Sequence, residues 1–261
     1  MTKILVSKDP LQHLKTFTDA RIAIGRVGGS LPTKELLSFR LDQARARDAV
    51  HADFDTEALA AELRSLDLGL DILHVESNAT DHASFLKNPG LGRALKQADK
   101  NRLLDFTQAH VAIDVVLLIS DGLSALAVQK NACELLRSLI PILQQKSLTI
   151  GPVVIARHAR VALQDDVGEA LKAKLAVILI GERPGLGSTD SMSAYLVYQP
   201  RAGNSDADRN CISNIRASGF APSSAAAKLA ELLQRCLAAK LSGVLVKDDD
   251  MNGKVLTPRE T

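Results

Sequence analysis

The segment from Leu175 to Arg216 constrains this chain more than any other. It opens with Leu-Ala-Val-Ile-Leu-Ile, an unbroken apolar run of strand length, and turns polar at once with Gly181-Glu-Arg-Pro-Gly. A half-exposed strand alternates polar and apolar side chains, so an unbroken run belongs to a strand covered on both faces, the usual condition in a parallel sheet. Open α/β sheets bind their ligands where loops leave the carboxyl ends of such strands. The Gly181 turn is therefore where a binding site is expected.

The rest of the chain supplies the partners such a strand needs. Val111–Ile119 reads as a second apolar strand, ended by Ser120-Asp-Gly, and Leu123–Leu143 as a long helix with Leu126, Ala132, Leu135, Leu136 and Leu139 on its apolar side. Leu70–Val75 and Ser147–Ile155 read as further strands, with Gly151-Pro152 marking an edge or a bend. A helix begins near Asp165, a second strand follows the glycine-rich turn, and a polar loop runs on to Arg216. Pro222 opens a last helix whose Leu229, Leu232, Leu233, Cys236 and Leu237 recur at helical spacing, and Gly243 closes it. Before the first strand the pattern is helical, broken by a short connection containing Gly25, Gly28 and Gly29. The pattern predicts an α/β fold: a Rossmann-like three-layer domain over 67–246 with a mainly parallel sheet, preceded by a small helical N-terminal domain over 1–66 and followed by a flexible tail over 247–261.

Composition narrows the function classes. With 32 Lys and Arg against 30 Asp and Glu, the net charge of +2 gives no whole-chain electrostatic case for nucleic acid or membrane. Trp is absent and aromatic residues make up 3%, which argues against base-stacking platforms. No apolar run approaches the roughly 20 residues that span a bilayer, and Met1–Pro10 lacks a signal-peptide core, so the expected location is cytoplasmic. Cys133, Cys211 and Cys236 are odd in number and contain no CxxC pair, which speaks against disulfides and structural zinc.

The stock catalytic motifs fail on inspection. Gly122-Leu-Ser124-Ala-Leu lacks the second glycine of a nucleophile elbow, and Gly181-x-x-x-Gly185-x-Gly187 does not have the dinucleotide order. The six histidines are scattered, with no pair at metal-ligand spacing. Glu182 and Arg183 are left with two readings, a solvated loop or ligand contacts at the sheet edge, and the same choice applies to Ser120-Asp121-Gly122. Cys211, in Asn210-Cys-Ile-Ser-Asn, reads as a lone loop cysteine. Read from these residues alone, the chain is also compatible with a stand-alone Rossmann-like nucleotide-binding enzyme using Asp121, Glu182 and Arg183.

Taken together, Leu31-Pro-Thr, Arg45-Ala-Arg-Asp, Asn88-Pro-Gly-Leu-Gly-Arg, Ile119-Ser-Asp-Gly-Leu-Ser, Arg160-Val161, Asp166-x-Gly168-Glu169, Ile180-Gly-Glu-Arg-Pro-Gly-Leu and Asp208-Arg-Asn-Cys-Ile-Ser-Asn-Ile span nearly the whole chain. In these segments it resembles the small, or light, subunit of ethanolamine ammonia-lyase. The resemblance implies a hetero-oligomer with a large TIM-barrel subunit that carries most catalytic residues. It implies conversion of ethanolamine to acetaldehyde and ammonia with adenosylcobalamin as the coenzyme, and a location in the cytoplasm or a bacterial microcompartment. By motif match, Val161, Glu182 and Cys211 are the expected coenzyme contacts, and no catalytic or metal-ligating residue is expected on this chain. The chain also lacks Asp-x-His-x-x-Gly, which accords with the base-on cobalamin mode of that family.

Overall fold

The computed structural model describes residues 9–18, 20–108 and 112–246. Six strands, β1 (Ile72–Glu76), β2 (Val115–Ser120), β3 (Ile150–Arg157), β4 (Leu175–Gly181), β5 (Met192–Tyr198) and β6 (Arg209–Ile215), form one sheet in the order β1-β3-β2-β4-β5-β6. The two apolar runs do what their sequence requires: every residue of β2 and of β4 is buried. β1, β3, β2 and β4 pair in parallel, whereas β4 with β5 and β5 with β6 pair antiparallel. The sheet is thus mixed, which corrects the expected mainly parallel sheet.

Helices cover both faces. The described helices are α1 (Thr33–Val50), α2 (Thr56–Ser65), α3 (His82–Lys87), α4 (Gln97–Gln108), α5 (Ala125–Gln145), α6 (Leu163–Ala170) and α7 (Pro222–Ala239). Because successive strand side chains point to opposite faces, Val115, Leu117 and Ile119 join the apolar sides of α2, α5 and α7. Val116 and Leu118 join Leu103 of α4 and Leu163 and Val167 of α6. Each fully buried aliphatic side chain of this kind contributes about 1.5–3 kcal/mol relative to an exposed one. α2 shares the first core through Leu59, Ala60 and Leu63, whereas α1 buries Ala49 alone.

The connections fix where the sheet opens. The chain passes from β2 to β3 through α5 on one face and returns from β3 to β4 through α6 on the other. β2 and β4 are neighbours whose flanking crossovers lie on opposite faces, and an open α/β sheet leaves a crevice outside the carboxyl ends of such a pair. Loops 120–123 and 181–183 lie at that point.

Three local expectations change. Gly151-Pro152 makes a bend and not an edge: β3 lies inside the sheet, and its register with β2 shifts between Val115 and Leu117, where β3 carries one extra residue. α7 ends one residue before Lys240, which takes the left-handed conformation at φ 55°, and Gly243 lies beyond the helix. Gly243 serves a close approach instead, since a Cβ there would lie 2.0 Å from the Ala207 carbonyl oxygen. The third is the polar loop, which contains β6. The end of the chain, expected to be a flexible tail over 247–261, lies outside the described residues.

A buried ion pair holds β6 against α6. The Arg209 and Asp165 side chains are 2% and 6% exposed and hydrogen bonded to each other, with Asp206 also on the guanidinium. Burial pushes the Asp165 carboxyl above its ordinary range, and Arg209 opposes that shift. Arg209→Ala leaves Asp165 buried without its counter-charge, a change that costs about 3–5 kcal/mol. Urea denaturation followed by circular dichroism is expected to show that loss, and an unchanged midpoint would contradict this account.

Candidate functional site

The loop after β2 is tied to the loop after β3 through one carboxylate. Asp121 is 4% exposed. It accepts hydrogen bonds from the Ser120 hydroxyl at 2.9 Å, the Gly122 N–H at 3.1 Å and the His158 N–H at 2.8 Å, and His158 Nδ1 lies 3.1 Å from its second oxygen. His158 takes φ +55°, and the Arg160 N–H then donates to the Gly92 carbonyl at 2.7 Å. The same turn packs on the end of β4. At Gly122, where φ is +54°, a Cβ would lie 2.4 Å from Ile180 Cγ1 and 2.6 Å from the Gly181 oxygen. At Gly181 it would lie 2.1 Å from the Ser124 oxygen, so both positions exclude any larger residue.

Over this floor lies a cavity of about 230 Å³ whose walls include Arg160, Val161, Glu182, Arg183, Ser193 and Tyr195. Glu182 is half-buried, and its carboxylate accepts from the Ser193 hydroxyl and, at 3.1 Å, from the Asn214 N–H. Burial works against its charge, but the Ser193 hydroxyl and the Asn214 N–H help outweigh that penalty and hold the carboxyl below its ordinary range. Cys211 is exposed on β6, opposite Tyr195 in the β5–β6 register. Desolvation of the sulfur raises its pKa, only partly offset by hydrogen bonding to Tyr195 and Ser193, so the residue is a neutral thiol at pH 7. Burial, helped by Cys211 and Glu182, pushes the Tyr195 phenol up to about 12. These groups present acceptors, donors and a soft surface to a ligand. Nothing in them is poised as a nucleophile.

The structure therefore brings two expected residues, Val161 and Glu182, into one cavity and sets Cys211 beside it through Tyr195. Asp121 is placed differently. Its oxygens are occupied by protein donors, which removes it from the ligand role it holds in the nucleotide-binding alternative. Ser193 and Tyr195 were missed by motif reading, although their alternation along β5 places both on one face. A more open groove of about 840 Å³ runs between α1, residues 15–18 and 20–24 and the 185–188 turn, and none of the three expected contacts lines it. Among the described residues no group of His, Cys, Asp and Glu is arranged to hold a metal ion, and no helix is long and apolar enough to cross a membrane.

Among the described residues, a mixed α/β sheet carries an open, partly charged cavity at its carboxyl edge. The family model for the ethanolamine ammonia-lyase light chain (EutC) matches residues 8–247. The chain is 45% identical over 260 residues to the ethanolamine ammonia-lyase small subunit of Rhodopseudomonas palustris, covering 100% of this chain and 98% of that one. It is 44% identical over 250 residues to the small subunit of Bradyrhizobium diazoefficiens, covering 95% and 94%, and 44% identical over 244 residues to that of Azotobacter vinelandii, covering 93% and 90%. The chain belongs to the ethanolamine ammonia-lyase small-subunit family. It is a subunit of a lyase, and its standing as the small subunit implies a large-subunit partner.

The Glu182 environment has a pH signature. A carboxylate whose folded pKa is lowered adds stability that is fully present above the ordinary glutamate range and is lost as pH falls through the folded value. Glu182→Gln removes that contribution. Urea midpoints across an acid titration are expected to fall more steeply for the wild-type chain than for the variant; parallel curves would show that the hydrogen bonds to Glu182 do not hold its charge.

Proposed function

We propose that this chain is the coenzyme-enclosing small subunit of an adenosylcobalamin-dependent ethanolamine ammonia-lyase, which converts ethanolamine to acetaldehyde and ammonia and is inactive without its large subunit. The observation that carries the reading is the meeting of Val161, Glu182 and Tyr195, from separate segments, in the lining of one cavity, with Cys211 beside it as the register partner of Tyr195. At about 230 Å³ that cavity is smaller than the ~300–1,000 Å³ typical of pockets that enclose a drug-sized ligand. A corrinoid is larger still, so this chain grips an edge of it and the partner covers the remainder.

The residues present suit such a guest. A corrin ring carries amide arms, which need acceptors and donors on separate loops. Glu182 accepts from amide N–H groups, Val161 offers backbone polar groups and apolar contact, and Cys211 offers a small polarisable surface. The Arg160 Nε is buried without a hydrogen-bond partner, an N–H that a bound acceptor satisfies. When bound, adenosylcobalamin supplies the radical chemistry that breaks the carbon–nitrogen bond. This chain's own residues bind, orient and shield, and transfer no proton. In this reading the large subunit is a TIM barrel that completes a hetero-oligomer, located in the cytoplasm or within a bacterial microcompartment.

Co-expression with the large subunit tests the proposal. The complex is expected to retain adenosylcobalamin and release ammonia from ethanolamine, while the isolated chain does neither; turnover by the isolated chain would overturn it. Glu182→Ala removes an ionised acceptor and is expected to weaken coenzyme affinity of the assembled complex by roughly tenfold to a hundredfold. Equilibrium dialysis against adenosylcobalamin reads the change, and unchanged affinity would contradict the assignment of Glu182.

A further inference from the structure

The cavity lining carries charges of both signs. The Glu182 carboxylate is hydrogen bonded to Ser193 and the Asn214 N–H. Arg160 and Arg183 line the same cavity. The Arg160 guanidinium is fixed over the Phe85 ring, with Cζ 4.2 Å from the centroid, and its Nη2 donates to the Phe85 carbonyl at 3.5 Å. Its Nε is buried and makes no hydrogen bond. Among the described residues neither Arg160 nor Arg183 nor the neighbouring Arg93 has a salt-bridge partner. Burial first, then the charges of Arg183 and Arg93, disfavour the charged form of Arg160; Asp121 opposes them. That carboxylate is already engaged by Ser120, Gly122 and His158.

A guanidinium held against an aromatic ring, with a buried N–H left unpaired and like charges nearby, is costly unless something completes it. The completing group is an anion. Guanidinium N–H groups match phosphate oxygens in geometry as well as charge, and the pair outranks neutral hydrogen bonds.

We propose that Arg160 and Arg183 form an anion subsite in the cavity wall that takes the phosphodiester of the coenzyme's nucleotide loop. The inference rests on the coenzyme reading given above. A cobalamin carries amides and hydroxyls around its periphery, and its phosphodiester is the one anionic group it offers to a pair of cations. The lining groups therefore divide the guest by chemistry. Amide arms meet Glu182, and the phosphate oxygens meet the arginines.

Adenosylcobinamide, which lacks the nucleotide loop and its phosphodiester, separates this subsite from the rest of the cavity. Affinities of the assembled two-subunit complex for adenosylcobalamin and adenosylcobinamide, read by equilibrium dialysis, are compared in wild type, Arg160→Gln and Arg183→Gln. Each variant is expected to lose roughly tenfold or more in affinity for adenosylcobalamin while holding adenosylcobinamide as wild type does. Arg183 stands exposed on the loop after β4, so its variant keeps the test decisive if the Arg160 variant does not fold. Equal losses for both corrinoids, or no loss for either, would overturn the subsite and leave the coenzyme reading standing. A wild-type complex that binds neither corrinoid would overturn the reading beneath it.

Discussion

The site depends on one buried carboxylate. Asp121 ends the most deeply buried stretch of the sheet, and its oxygens join the turn after β2 to the loop after β3. A carboxylate at 4% exposure is expensive unless donors surround it, and here they come from two loops that would otherwise be free to part. Fixing His158 fixes Arg160 and Val161 two and three residues further on. The cost of burying a charge is thereby converted into the placement of a cavity wall.

Close packing does the same for Glu182. Gly122 and Gly181 let the ends of β2 and β4 approach to distances no Cβ tolerates. Glu182 follows directly, so its direction is set by backbone contact with the neighbouring turn. The antiparallel extension then contributes what parallel strands do not. β5 runs back beside β4 and carries Ser193 and Tyr195 past Glu182, and β6 brings Cys211 and the Asn214 N–H to the same edge. A sheet that stayed parallel beyond β4 would need a covering crossover helix there, and the edge would close.

What the sequence made legible follows from how strongly each segment is buried. β2 and β4 announced themselves because both faces are covered, and α5 and α7 because one apolar side meets that core. The loops after β2 and β4 were legible as the ligand edge for the same reason: polarity changes abruptly where burial ends. β6 was not legible. Its edge position leaves Cys211, Ser213 and Asn214 exposed, so a strand there has the composition of a loop. The antiparallel turn of the sheet was hidden with it. Glu182 was marked by its place at the end of β4, Val161 and Cys211 came from the match of motifs, and the placing of Arg160 depends on Phe85, far away in sequence. The exposed α1, with Leu37 and Leu41 more than half exposed, was readable as a helix but not as one that buries a single residue.

Two arginines of this chain show how differently the same group is treated. Arg209 is buried against Asp165, with Asp206 and the Asn204 carbonyl taking further N–H groups, and it fastens α6 to the edge strand. Every feature of that environment completes the charge from within the chain. Arg160 is held as firmly, by the Phe85 ring and the Gly92 carbonyl behind its backbone, yet its guanidinium donates one long hydrogen bond to a neutral carbonyl and meets no carboxylate. A structural arginine has no reason to be positioned without being paired, because the fold gains only when its donors are met. Rigid placement with donors left over is the condition of a group whose partner arrives from outside, and it occurs at the wall of the cavity that Val161 and Glu182 also line.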